Sequence, residues 1–200
     1  MIILNSNAQN IYWVGRYLAR IQNLCGQFPF QTDEQALAYA HAFCLPAFNA
    51  SSLNELVMSP EQPASFYQQF QLVIHNIQDL RGVLSIDAYC GLKQMIDTAK
   101  LNAGLICTVV DECSDVLEAE NEDIFLFFSM GQLFENLDRQ LRLNQDIHVT
   151  LQSLSGLIEM LKAKGWDSLD EAWQYLLEHR NAHSFYQLND QVQCLFEVDA

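Results

Sequence analysis

Apolar positions recur along most of the chain at spacings of three and four, the repeat of one helical face. Strict alternation with β-branched residues is scarce, and Leu, Gln, Ala, Asp and Glu dominate, which favours helix over strand. The spacing predicts a first helix capped by Asn5 or Ser6 and ending near Gly26, ahead of Pro29. A short helix is predicted over Asp33–His41, and Pro46–Ser59 reads as loop with one turn at Leu53–Met58. Ser59-Pro60-Glu61 reads as a helix start, with that helix running toward Arg81 and stopped by Gly82. Further helices are predicted over Ser85–Lys100, Leu105–Leu117, Asn121–Leu143, Ile147–Lys164 and Ser168–His179, with a last one from His183 to Cys194. Glu122 and Asp123 suit the first turn of the helix at Asn121, where the helix dipole favours negative charge. Ser168 with Glu171 reads as a capping box. The pattern predicts an all-α, multi-helix bundle of roughly seven to nine helices.

Two of these helices depart from the one-sided pattern of a surface helix. In the first, Ile11, Val14, Gly15, Leu18, Ile21 and Cys25 share one face, while Trp13, Arg16, Tyr17, Arg20 and Leu24 share the other. A helix apolar or aromatic nearly all round is expected to be central and buried on several sides. Arg16 and Arg20 lie one turn apart and repel unless something anionic stands between them. Tyr12, Trp13 and Tyr17 lie near enough on the wheel to support the guanidinium groups by stacking.

In the helix from Asn121, Asp138 falls inside an apolar arc of Ile124, Phe128, Gly131, Phe134, Leu137 and Leu141, with Glu135 at its edge. A carboxylate there must be paired or take up a proton. Arg142 stands four residues after Asp138, and Arg139 four after Glu135. The other available partners are Arg16 and Arg20. The segments Ile11–Asn23 and Phe127–Arg139 also align without a gap, Gly15 on Gly131 and Tyr12 on Phe128. We therefore expect two pseudo-repeated central helices to pack about a pseudo-twofold axis, arginines of one facing carboxylates of the other.

Composition narrows the function classes. The chain has 200 residues, half of them hydrophobic, so a single domain spanning 1–200 has ample core. The net charge of −15 argues against binding nucleic acid or an anionic membrane, which need clustered Lys and Arg. No apolar run approaches a bilayer span, and the N-terminal residues lack the basic and apolar regions of a signal peptide, so a cytoplasmic protein is expected. The six cysteines form no C-x-x-C and are expected to be reduced and buried. The acidic run Asp111–Asp123 reads as a solvated face, the alternatives being a calcium site or a dock for a basic partner.

The usual chemistry motifs are sparse. His179 and His183 have a spacing that can chelate zinc, but Asn181 and Ser184 mark a helix end between them, and no Glu-x-x-His pair is present. No metal or cofactor is expected. No nucleophile elbow or Gly-rich phosphate loop occurs. Trp166, Trp173, Tyr175 and Leu176 read as a packing face, or alternatively as a partner groove.

Three segments carry a family resemblance. Asn7–Arg20 (NAQNIYWVGRYLAR) resembles the opening motif of the alpha-E domain family, N-A-x-N-x-Y-W-x-G-R-Y-x-E-R. Asn76–Ser85 resembles its middle N-A-R-x-x-R-x-x-x-S segment, and Gly131–Arg142 its second G-R-Y-x-E-R copy. Departures fall at the motif's charged positions: Ala19 replaces Glu in the first copy, Asn136 replaces Arg in the second, and Gln78 replaces the first Arg of the middle segment. One cross-helix pair, Arg20 with Glu135, remains possible, as in a diverged, shortened member.

The resemblance implies an all-α fold in a bacterial system that forms peptide or amide bonds, beside an ATP-grasp ligase and a transglutaminase-like peptidase. Two readings follow. In one, the chain is a non-catalytic interaction or accessory protein with such a partner, and Arg16, Arg20, Glu135, Asp138 and Arg139 form a structural polar network. In the other, it is an enzyme or enzyme subunit, with Arg16, Arg20 and Arg81 binding an anionic substrate for amide-bond formation.

Overall fold

The computed structural model describes residues 3–101 and 103–197. Among them the chain forms ten α-helices, two short 3₁₀ turns and no strand. The helices are α1 (Asn5–Cys25), α2 (Asp33–Ala42), α3 (Ala50–Met58), α4 (Phe66–Asp79) and α5 (Ile86–Leu101), followed by α6 (Ile106–Glu118), α7 (Glu122–Arg142), α8 (His148–Ala163), α9 (Asp170–His179) and α10 (Ala182–Glu197). The all-α expectation holds, with α3 additional to the predicted helices.

Burial of both faces makes α1 the centre of the bundle. It packs against α4, α6, α7 and α10, and ten of its residues from Ala8 to Leu24 are buried. α7 lies alongside it and carries α8 on its outer side. Tyr12, Phe127, Phe134, Phe185 and Phe196 join the α1, α7 and α10 faces by ring contacts. Trp173 and Leu176 belong to this core, 3% and 0% exposed, so their packing-face reading holds.

A glycine seam brings the backbones of α1 and α7 together. A methyl group on Gly15 would meet the carbonyl oxygen of Phe128 and stand 3.2 Å from the Gly131 Cα. One on Gly131 would meet the Tyr12 carbonyl and stand 3.0 Å from the Arg16 backbone nitrogen. Tyr12 and Phe128, like Arg16 and Gln132, are separated in sequence by the same offset as the two glycines. The contacts therefore interchange under a pseudo-twofold operation, and partner positions rise together, so the helices run in the same direction. Only hydrogen side chains allow backbones this close.

Several local expectations are corrected. α3 occupies part of the stretch read as loop, because Asn49 and Ser52 close a reciprocal cap that the apolar spacing does not reveal. α4 begins after Ser65 rather than at Pro60, since Pro63 has no N–H to give a helix interior. Asn5 does not cap α1; its side chain donates to the Leu195 carbonyl of α10 at 3.0 Å. Ser168 sits in a 3₁₀ turn and Leu169 precedes α9 without a side-chain cap.

The thiol expectation is corrected as well. Cys25 and Cys107 are disulfide-bonded, with Cα atoms 5.9 Å apart, linking the end of α1 to the start of α6. Packing of two helices remote in sequence creates this proximity, so cysteine spacing could not show it. Of the free thiols only Cys113 is buried, and that burial pushes its pKa up to about 12. Among the described residues, no helix is long and apolar enough to cross a membrane.

Candidate functional site: a buried guanidinium–carboxylate cluster

The centre of the cluster is Glu135, which α7 carries into the seam with α1 at 2% exposure. Its Oε1 accepts from Arg20 Nε at 2.6 Å, and its Oε2 accepts from Arg20 Nη2 at 2.9 Å and Arg16 Nε at 3.0 Å. Both carboxylate oxygens are thus covered by charge-assisted bonds, one arginine binding side-on. Wheel geometry placed Asp138 in the apolar arc and Glu135 at its edge; in the fold Glu135 is the deeper, because α7 is covered on more sides than one arc describes.

Asp138 extends the cluster outward. Its Oδ1 accepts from Arg142 Nε at 2.9 Å and from the Tyr186 hydroxyl at 3.3 Å, and its Oδ2 stands 3.8 Å from Arg16 Nη2. Arg16 is the bridge. Its Nη1 donates to the Tyr12 hydroxyl at 3.3 Å and to Asn189 Oδ1 at 3.0 Å. The Arg16 guanidinium carbon lies 5.4 Å from the Trp13 ring centre, and that of Arg20 5.7 Å from the Tyr17 ring centre, so aromatic faces brace both cations.

The ionisation equilibria follow from this geometry. Burial pushes the Glu135 carboxyl toward neutrality, but its bonds to Arg20 and the charges of Arg20 and Arg16 outweigh that and hold its pKa below the ordinary value. Burial likewise disfavours the Arg16 charge, and Tyr12 and Glu135 more than restore it. Burial pushes the Tyr12 hydroxyl up to about 12 against the opposing charge of Arg16. Glu135, Arg16 and Arg20 thus each favour the charged form.

Two sequence candidates lie elsewhere. Arg81 is exposed in the turn after α4, next to a cleft formed by Gly82, Val83, Ile3 and Leu4, at the other end of the bundle. Arg139 does not pair with Glu135; it donates to Gln145 at 2.8 Å, because α1 already saturates the Glu135 carboxylate. His179 ends α9, where Arg180 turns left-handed at φ 48°, and His183 belongs to α10, so they do not share one helix face. Among the described residues no group of His, Cys, Asp and Glu could hold a metal ion.

Sequence reasoning missed Asn189, which answers Arg16 and Tyr12 together from α10. It also missed Tyr39 and Gln69, which line a cavity beside Arg20, Glu135, Asp138 and Arg142. A buried arginine with five donors needs more acceptors than one carboxylate supplies. That requirement was the available signal, and it could not say which Asn would meet it.

The pseudo-twofold partner of this cluster is uncharged. The operation that relates Arg20–Glu135 to its counterpart selects Asn136 and Ala19, and that face opens instead into a cleft of about 540 Å³ lined by Ala19, Gln132, Asn136, Phe125 and Met160. Asn136 there accepts from Asn23 at 2.8 Å.

A helical bundle organised around a duplicated glycine seam, with Glu135 buried across it between Arg16 and Arg20, defines a class of all-α domain. Residues 3–193 match the Alpha-E family, described as a predicted alpha-helical domain with a conserved ER motif. The chain belongs to that family. No curated protein and no solved structure matches it.

Proposed function

We propose that the chain is a non-catalytic helical accessory protein that works by binding a protein partner, an ATP-grasp ligase or a transglutaminase-like peptidase of a bacterial peptide- or amide-bond-forming system. The observation that carries this reading is the engagement of both core arginines with Glu135, at 3.0 Å for Arg16 and 2.6 Å for Arg20. Cations locked onto a fixed carboxylate hold helices in register and are poorly placed to activate a nucleophile or leaving group. The counterpart pair is replaced by Ala19 and Asn136, so no second charged centre faces the first. The exposed acids of the Asp111–Asp123 stretch and the net charge of −15 favour a basic docking face on the partner. The choice of partner rests on the company that the family resemblance implies.

The test is affinity purification of the full chain from its native lysate, with cross-linking and mass spectrometry. Recovery of an ATP-grasp or transglutaminase-like protein, lost at high salt, is the expected result. Recovery of the bait alone, with both candidates detected in the input, overturns the reading.

A further inference from the structure

A cavity of about 210 Å³ opens beside the cluster, between α1, α2, α4 and α7. From these surroundings we infer that it binds a small monoanionic carboxylate carrying an apolar side chain and a neutral N–H donor, the chemistry of an N-acylated apolar amino acid.

Four observations define that ligand. The first is charge: Arg20 and Arg142 line the cavity with Glu135 and Asp138, and Arg16 stands behind them in the same cluster, so among the described residues three cations meet two carboxylates, a surplus of one positive charge in an otherwise acidic protein. One surplus charge suits a monoanion and leaves half of a phosphate dianion's charge unmatched. The second is an unused donor. Arg20 Nε and Nη2 are taken by Glu135, its Nη1 has no partner among the described residues, and its side chain is 33% exposed, so the remaining edge can be reached. The planar guanidinium edge matches a carboxylate. Repulsion from the resident acids is blunted, since donors already cover both Glu135 oxygens and Asp138 Oδ1.

The third is an orphaned acceptor. Gln69 is 6% exposed and lines the cavity; its Nε2 donates to the Pro63 carbonyl at 3.2 Å, while its Oε1 is buried without a partner among the described residues. A buried acceptor left unpaired is costly and calls for a donor from outside the protein. The fourth is the remaining wall, formed by Ile21, Leu24, Phe43 and Leu45, which gives an apolar side chain its place. The volume equals about seven waters at ~30 Å³ each, enough for a small acylated amino acid and too little for a longer peptide. Such a site stands whether or not a protein partner binds.

The experiment is calorimetric titration of the full-length protein with N-acetyl-L-alanine, its methyl ester, propionate and inorganic phosphate, alongside amide NMR of the protein. N-acetyl-L-alanine should bind saturably. The ester, without the charge, and propionate, without the N–H, should each bind about tenfold more weakly. Gln69→Leu, with folding checked by circular dichroism, should abolish the advantage over propionate. Resonance shifts should centre on Leu24, Leu45 and Gln69, a readout that does not depend on the variant folding. No saturable binding of N-acetyl-L-alanine, equal binding of the ester, tightest binding of phosphate, or shifts centred elsewhere each overturns the inference.

Discussion

Gly15 of α1 and Gly131 of α7 each occupy the space in which the other's helix would meet a side chain: a Cβ on Gly15 would lie 3.2 Å from the Gly131 Cα. The obstacles are backbone atoms, so no rotamer change can relieve the contact. Gly131→Ala should therefore destabilise the protein by about 3 kcal/mol, the upper range for overpacking, and Gly15→Ala by a similar amount. Gly156, inside α8, provides the contrast, because a methyl group there would have nothing within 4 Å. Gly156→Ala should gain about 0.5–1 kcal/mol from helix propensity. Urea denaturation of the three variants checks both signs, and a neutral Gly131→Ala would remove the close seam.

Arg16 and Arg20 differ in depth, with side chains 8% and 33% exposed. Arg16→Ala strips a bond from Glu135, removes the donor to the Tyr12 hydroxyl and leaves Asn189 Oδ1 with Tyr12 alone, so it should cost about 3–5 kcal/mol. Arg20→Ala leaves Glu135 still held by Arg16 and admits water, and should cost about 1–3 kcal/mol. Equilibrium unfolding should give that order; the reverse order, or no loss in Arg16→Ala, would contradict the network.

The cluster sets a window of stability in pH. Glu135 has a folded pKa below its ordinary value of ~4.3, so its contribution is present above that value and is lost as pH falls through the depressed folded pKa. Tyr12 and Tyr39 behave oppositely. Burial raises both to about 12, so their contribution is full below the unfolded tyrosine pKa of ~10 and is lost as pH rises toward 12. Thermal melts across pH should fall at both ends. Tyr12→Phe should flatten the alkaline limb, and a limb unchanged in that variant would count against a buried phenol.

The Cys25–Cys107 bridge closes a loop with sequence separation 82. Chain-entropy reasoning gives such a link about 4 kcal/mol. Cys25→Ser/Cys107→Ser should approach that loss, and thiol labelling of the unfolded wild type should find four free cysteines. Six labelled cysteines in protein kept from reductant would refute the bridge.

Much of the fold was legible because helix identity is a local property. Period-3.6 spacing and propensity act within a few residues, so α1, α2 and α5 to α10 could be read off the chain to within a turn. The Arg20–Glu135 pairing was legible for a related reason: a charge placed among apolar neighbours has few ways to avoid desolvation, and the complementary charges sat on a matching segment. α3 escaped because its evidence is a reciprocal Asn49–Ser52 cap. A two-residue hydrogen-bond arrangement leaves little trace in hydrophobic spacing.

Sequence alone determined most of the helices, the two glycine positions and the need to neutralise Glu135 and Asp138. Which neighbours would satisfy that need was decided only when α10 laid Asn189 and Tyr186 beside the seam, when α4 carried Arg81 away from it, and when α1 reached Glu135 before Arg139 could. Local preferences fix dihedral angles one turn at a time. Charge partners, cavities and disulfides depend on distances between segments remote along the chain, and those distances exist only once the core has packed.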